Sequence, residues 1–206
     1  MKAKQIALIL IPLNIILAYF VFNSIDSEVE FNKQAKERIN ENIQKLEDLR
    51  KLQKEYKKEN KAYANNFDSL IDFLENDSIT IITYEGETPD TLTDAQALEK
   101  GIIRADTTYK LAKHSVFDSN YRKTRNEKYP LNLTTLTNVP HSDELYAINS
   151  GKIERGKVTI QVFEISTTYA AVFTGLDIKN KTEEKLNNLL KVGSMDDPTL
   201  DGNWDK

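Results

Sequence analysis

The sequence predicts an α+β fold: an N-terminal transmembrane helix continued by a long stalk helix, then a small antiparallel sheet with packed helices. Three observations carry that expectation. An uncharged run from Ile6 to Phe22 follows Lys2 and Lys4. No proline or glycine occurs from Ser27 to Ala64, where apolar residues recur at intervals of three and four. After Pro130, runs rich in β-branched and aromatic residues alternate with turn residues. The expected division is a cytoplasmic tail over 1–5, a membrane anchor over 6–22, a helical stalk over 23–64, an exported α+β domain over 65–193 and an acidic tail over 194–206.

The anchor comes first. At 1.5 Å per residue, Ile6 to Phe22 spans about 26 Å, close to the hydrocarbon thickness of a bilayer. Pro12 and Asn14 lie inside the run, and both are tolerated in spanning helices where a neighbouring group compensates. Tyr19, Phe20 and Phe22 close its far end, as an aromatic belt would. No Ala-x-Ala-like site or lipobox cysteine follows, so the segment reads as an uncleaved signal-anchor. Lys2 and Lys4 precede it, and Asp26, Glu28 and Glu30 follow. The positive-inside bias then expects a single pass through the inner (cytoplasmic) membrane, N-terminus in the cytoplasm and the rest exported, to the periplasm in a Gram-negative cell.

The stalk carries Ala35, Ile39, Ile43, Leu46, Leu49, Leu52 and Tyr56 as one apolar stripe, interrupted by Gln53 and Asn60. Two uses fit such a stripe: packing on the chain's own domain, or a short coiled coil with another helix. Ile39, Ile43, Leu46, Leu49, Leu52 and Tyr56 are the candidate interaction residues on the second reading. Between Lys45 and Lys61 seven Lys/Arg stand against four Asp/Glu. Lys45 is more than 20 residues past Phe22, about 30 Å along a helix, too far for these cations to hold lipid headgroups.

At the junction "YKKENKAYANNFDSLIDFLEND", Asn65 or Asn66 is a good N-cap, and Phe67, Leu70, Ile71 and Leu74 then share one face of a short helix. Tyr56 and Tyr63, one heptad apart, offer ring surface to Phe67 and Leu70. This layout, from Lys2 to Leu74, resembles that of type IV pilins and type II secretion pseudopilins in its rooted helix and in Tyr56, Asn60, Tyr63 and Leu70. The family's Gly-Phe-Thr-Leu-x-Glu peptidase site is missing, and no glutamate lies between Ile6 and Phe22, which argues against pilin-type processing. The order of parts is similar also to the bitopic assembly-platform proteins of the same machines, with their short cytoplasmic tail, single span, helical stalk and small α+β domain.

Beyond the junction, Ser78 to Gly86 reads as a strand, and Thr88 to Gly101 as a helix or two half-turns capped by Thr93 and stopped by Gly101. Leu111 to Phe117 is ambiguous. Leu145–Asn149, Lys157–Ser166 and Tyr169–Thr174 read as an antiparallel meander, with "NSGK" and "ERGK" as turns. "NKTEEKLNNLLKVG" reads as a C-terminal helix with Leu186, Leu189 and Leu190 inward and Gly193 as its stop.

Chemistry is sparsely represented. Net charge is −4 with charges of both signs, giving no basic field for nucleic acid. Absence of cysteine excludes disulfides, thiolate metal sites and Cys nucleophiles, and seven glycines leave no Gly-rich phosphate loop. His141, Ser142 and Asp143 are consecutive, and three consecutive side chains cannot converge into one relay, so "PHSDE" reads as a polar turn. His114 has no partner motif. Four aspartates in "DDPTLDGNWD" miss the EF-hand spacing, so the tail reads as solvated, with Trp204 laid on the domain surface. The expectation is therefore a protein without catalytic residues, cofactor or metal. Its expected partners are the lipid bilayer and other envelope proteins, with self-association through the stalk as one form. A tethered ligand-binding or sensor module is the alternative, and a hydrolase would require His141 or His114 within hydrogen-bond reach of a carboxylate in a cleft.

Overall fold

A computed structural model describes residues 3–205, and the side chains of all of these except 3–9 and 19–26. Helix α1, Ala3–Asn60, is a single element of 58 residues, about 87 Å long, with Pro12 inside its first quarter. It ends where Lys61 turns into the left-handed region at φ 61°. Among the residues whose side chains are described, no helical stretch is long and apolar enough to cross a membrane. The expected anchor lies partly outside them, since residues 6–9 and 19–22 have no described side chains.

Glu28 of α1 holds Lys181 Nζ on its carboxylate at 2.8 Å. Phe31 follows, edge-on to Phe173 with ring centres 5.6 Å apart. From Glu41 to Gln53 no residue is exposed. The expected stalk is therefore a spine: the domain meets the helix at Glu28 and Phe31 and wraps it on all sides further along.

The chain reverses after α1 as the junction residues dictate. Gln53 pairs both ends of its amide with the backbone of Ala64, donating to its oxygen at 2.9 Å and accepting from its nitrogen at 3.0 Å. Asn66 Oδ1 then accepts from Ser69 N–H at 2.8 Å and caps α2, Phe67–Asn76, which buries Leu70, Phe73 and Leu74. The ring partners differ from those expected. Tyr56 meets Phe73 edge-on at 5.3 Å, and Tyr63 meets Phe163 at 4.6 Å.

Two separate antiparallel sheets follow. Strands β1, Ser78–Glu85, and β2, Arg104–Leu111, form a two-stranded ribbon in unbroken register from Ser78↔Leu111 to Glu85↔Arg104. At its tip sits α3, Asp94–Glu99, opened by a capping box between Thr93 and Gln96. After α4, Ala112–Ser115, and α5, Ser119–Thr124, the chain runs without a long element to β3, Ala147–Arg155. Strand β4, Val158–Thr168, turns back through Gly156 and pairs with both β3 and β5, Leu189–Gly193. Between β4 and β5 lie two short turns of helix, α6, Tyr169–Val172, and α7, Glu183–Asn187. Phe163 and Ile165 of β4 and Leu190 and Val192 of β5 share one core with Leu46, Leu49 and Leu52 of α1 and with α2.

Three local expectations give way to packing, and one strand forms where none was expected. Strand β2 is charged and Thr-rich and carries little strand signal of its own; it forms by pairing with β1. "NSGK" continues β3 instead of turning, leaving the turn to Gly156. Tyr169–Thr174 is helical at its start because Thr168 Oγ1 accepts from Ala171 N–H, which places Tyr169 over Phe173 one turn later. The expected C-terminal helix stops at Asn187, because the run after it fills the third strand position beside β4.

The tail is ordered. Gly193 N–H donates to Asp201 O at 3.0 Å, Asn203 N–H to Lys191 O at 3.0 Å, and Asn203 Oδ1 accepts from Lys191 N–H at 3.1 Å. The tail thus covers the outer edge of β5, closing a ladder that would otherwise be open for pairing. Trp204 packs on the core over Gly202, and Asp205 faces Arg50 at 3.7 Å.

Gly193 combines φ 75° with a close approach: a Cβ there would stand 2.3 Å from Phe163 O. Gly193→Ala is expected to lower stability by about 3 kcal/mol. Gly156→Ala, at φ 65° with open space around it, should cost about 1 kcal/mol. Urea unfolding of the two variants side by side measures the difference, and equal losses would contradict the packing described.

Candidate functional site

The longest irregular stretch, from Arg125 to Tyr146, is held against α1 by polar contacts. Asp48, on the spine and fully buried, accepts from Arg125 Nε at 2.8 Å and Nη2 at 2.7 Å. It also accepts from the Tyr121 hydroxyl at 2.8 Å. Arg125 Nη1 reaches on to Tyr129 O at 2.9 Å. Asn126 N–H donates to Gln44 Oε1, and the Tyr146 hydroxyl donates to Asn42 Oδ1 at 2.6 Å. Burial, and then the Asp48 carboxylate, pushes the Tyr121 phenol well above its usual range; burial does the same to Tyr146. Both hydroxyls are thus fixed as donors.

Lys45 ties the same stretch further along, donating to Thr135 O at 2.6 Å and Asn138 O at 2.9 Å. Burial holds its ammonium below the ordinary lysine range, partly offset by Glu41 and Asp48. Between this lysine and the loop lies a groove of about 430 Å³, lined by Glu41, Lys45, Tyr129, Asn132, Asn138 and His141. A second hollow of about 400 Å³ adjoins it and shares Glu41, Tyr129 and His141.

At the partition between the two hollows, His141 Nε2 stands 2.9 Å from Glu41 Oε2. Ser142 N–H donates to Val139 O, closing a tight turn with Pro140 and His141 at its centre. His141 takes the left-handed position at φ 63°, where glycine or asparagine is usual. A non-glycine residue there costs about 1 kcal/mol. The backbone holds that conformation while the imidazole lies on α1.

His141 thus meets a carboxylate in a cleft, the requirement for a hydrolytic reading, through a residue 100 positions away in sequence. Ser142 Oγ accepts from Glu144 N–H, and the Tyr129 hydroxyl donates to Glu37 O. What the groove offers is a His–Glu contact beside amide and phenol groups, suited to holding a polar ligand. His114 is exposed on α4. In the tail, Asp197 pairs with Arg155, and Asp201 accepts from Thr199 Oγ1. Among the described residues no group of three or more His, Asp or Glu is placed to hold a metal ion.

The candidate interaction stripe is turned inward. Leu46, Leu49 and Leu52 are fully buried in the chain's own core, and Ile39, Ile43 and Tyr56 are half-buried against it. Of the two uses open to that stripe, intramolecular packing takes Leu46, Leu49 and Leu52 entirely and Ile39, Ile43 and Tyr56 in part. Glu41, Gln44, Lys45, Arg125 and Tyr129 carried no motif; the only sequence signal was polar residues falling on all sides of a helix. No family model matches the chain, and neither a curated protein nor a solved structure does.

Asp48 is the most demanding group at this site. Removing its partner by Arg125→Ala is expected to cost about 3–5 kcal/mol, because an unpaired carboxylate stays buried. The double change Asp48→Leu with Arg125→Met should return most of that loss. Chemical denaturation of the two variants decides; a double variant as unstable as the single one would show that the loss does not come from a stranded buried carboxylate.

Proposed function

We propose that the protein is a membrane-anchored structural or assembly component of a bacterial envelope machine of the secretion, pilus-like or motility kind, working outside the cytoplasm by protein–protein contact. The observation that carries this is the start of α1. Leu10, Ile11, Leu13, Ile15, Ile16 and Leu17 are 46–65% exposed around the helix. A helix apolar on all sides needs an apolar medium, and a bilayer is one. Asn14 Nδ2 donates back to Leu10 O at 2.8 Å, so the one amide in this stretch finds its acceptor within the helix. The apolar run extends in sequence from Ile6 to Phe22, and the domain already touches the helix at Glu28, six residues later and about 9 Å further along. On this reading the domain stands close above the membrane, without a free stalk.

The layout shared with bitopic assembly-platform proteins supports the same placement. A second reading, a tethered ligand-binding or sensor module, is favoured by the groove at His141 and Glu41. The two readings share the anchor and differ in what the domain contacts.

Cell fractionation with an alkaline carbonate wash should leave the chain in the membrane pellet, and a reporter fused after Lys206 should be active only outside the cytosol. Replacing Leu13 and Ile16 by aspartate should release the chain from the pellet. Extraction of the unaltered chain by carbonate, or a cytosolic reporter, would end the anchored reading. Recovery of other envelope proteins with the detergent-solubilised chain separates an assembly component from a sensor.

A further inference from the structure

The groove beside α1 has a floor of polar groups that the chain leaves unused. Gln44 is only 7% exposed. Its Oε1 accepts from Asn126 N–H at 2.9 Å, while among the described residues its Nε2 meets no acceptor. Among the described residues only Ser115 Oγ is sealed from solvent without a partner, so Gln44 Nε2 keeps an opening, and the groove that Gln44 lines is where it faces. A nearly buried N–H without a partner is costly, and a bound acceptor removes that cost. Lys45, the next residue, also lines the groove and spends two of its three ammonium protons on Thr135 O and Asn138 O. Asn132 and Asn138 add two amide nitrogens that meet no acceptor among the described residues; their side-chain oxygens take Thr134 N–H and the Thr137 hydroxyl.

The charged groups around this floor decide what it takes. Arg125 lines the groove, but Asp48 neutralises it. Lys45 has only carbonyl oxygens as direct partners, and the burial that holds its ammonium below the ordinary lysine range is relieved by an anion beside it. Glu41, one helical turn earlier on the same face, is the acidic group of the lining. Its Oε2 faces His141 Nε2, and its Oε1 meets no donor among the described residues. In the adjoining hollow Glu37 pairs with Lys128, and Arg38 donates to Thr174 O. Glu127, Asp143 and Glu144 stand outside both linings. The groove is therefore dipolar, positive at Lys45 and negative at Glu41. Donors gathered about Lys45 suit a carboxylate, because hydrogen bonds to an ionised acceptor are about twice as strong as neutral ones. Glu41 opposes a dianion such as phosphate, and its Oε1 suits a hydroxyl or ammonium next to that carboxylate. Pro130, Val139 and Pro140 add an apolar wall, and the volume of about 430 Å³ is that of a small-molecule site.

We infer that the groove binds a small α-amino or α-hydroxy acid: its carboxylate lies on Gln44 Nε2 and Lys45 Nζ, with the amides of Asn132 and Asn138 at its edge, and its neighbouring ammonium or hydroxyl turns to Glu41 Oε1. This names the ligand of the tethered ligand-binding reading and rests on it. Gln44, Lys45 and Glu41 belong to the spine, and Asn132 and Asn138 to the loop wrapped around it. A bound acid therefore joins loop to helix, adding to what Asp48 and Arg125 already do, and stabilises the folded chain by mass action.

Isothermal titration of the full-length protein in detergent micelles tests this with L-alanine, L-leucine and L-lactate, the neutral amide of each, propionate, inorganic phosphate and glucose. At least one of the three acids should bind with a Kd below about 1 mM. It should bind at least tenfold tighter than its own amide, and at least threefold tighter than propionate, which has the carboxylate without the neighbouring donor. Gln44→Glu keeps an acceptor for Asn126 N–H and replaces the free donor by an oxygen, so it should weaken acid binding at least tenfold. Asn132→Asp, on the exposed rim, should weaken it at least threefold, and it carries the test alone if a carboxylate at position 44 unfolds the chain. An amide or propionate as tight as the acid, phosphate tighter than every acid, or glucose as the sole ligand would overturn the proposal and leave the ligand-binding reading standing. Acid binding that neither variant weakens would place it elsewhere and also overturn the proposal. If no probe binds, the proposal and the ligand-binding reading fall together. Micelles hold the chain whether or not it spans a bilayer in the cell, so these readings are independent of the fractionation result.

Discussion

One constraint shapes the rest of the fold: a carboxylate buried on the spine helix must be paired. Asp48 sits on the spine helix with no exposure to water, and its charge is tolerable there only because the Arg125 guanidinium meets it with two donors and Tyr121 with a third. Pairing a charge on the helix with a charge from a segment of little regular structure is what draws that segment around the helix. Asn42, Gln44, Lys45 and Gln53 repeat the device at other heights, each reaching a backbone or hydroxyl group of a segment packed against the helix. The middle of α1 therefore behaves as a core element, although its sequence is that of a surface helix.

That contrast explains what was and was not legible. Positions 35, 39, 42, 46, 49, 53 and 56 form a regular seam of alternating four and three, and all of them are buried or half-buried. Reading only apolar residues moves the seam to Ile43 and Leu52 and turns Gln53 into an interruption. Gln53 is instead fully buried and clamps Ala64 by both ends of its amide. The α+β class, the long helix, the Asn66 cap and the strands around Gly156 follow from local chemistry and were readable. Strand β5 was not. Its leucines have good helix propensity, and only the open side of β4, a partner 25 or so residues away in sequence, converts them to a strand.

The groove was less legible still, because none of its members carries a motif. "PHSDE" drew attention for the wrong reason: its three polar residues do not converge, and the partner of His141 lies on a helix 100 positions earlier. The sequence does contain one hint. A proline followed by a histidine at the centre of a tight turn is compatible with a turn in which the second central residue is left-handed, as His141 is here. Glycine would fit there without cost. A histidine kept in that conformation, with its ring 2.9 Å from a carboxylate of the spine, is placed by its side chain and not by its backbone.

The continuity of α1 links these parts mechanically. From Pro12 to Asn60 no proline or glycine interrupts it, and between Glu41 and Gln53 the domain grips it on every side. A helix so held does not hinge, since bending would need the Asp48 and Gln53 contacts to open together. On the membrane-anchored reading, Glu41 and the groove stand about 29 Å beyond Phe22, and the root of the β1–β2 ribbon, where Thr80 meets Glu59, about 55 Å. Three surfaces, an apolar helix, a polar groove and the exposed β1–β2 ribbon, are thus fixed at set heights on one rod. A partner engaging the ribbon would be held at a defined distance from the bilayer, with the groove between them, and that spacing is the property a structural component of an envelope assembly requires.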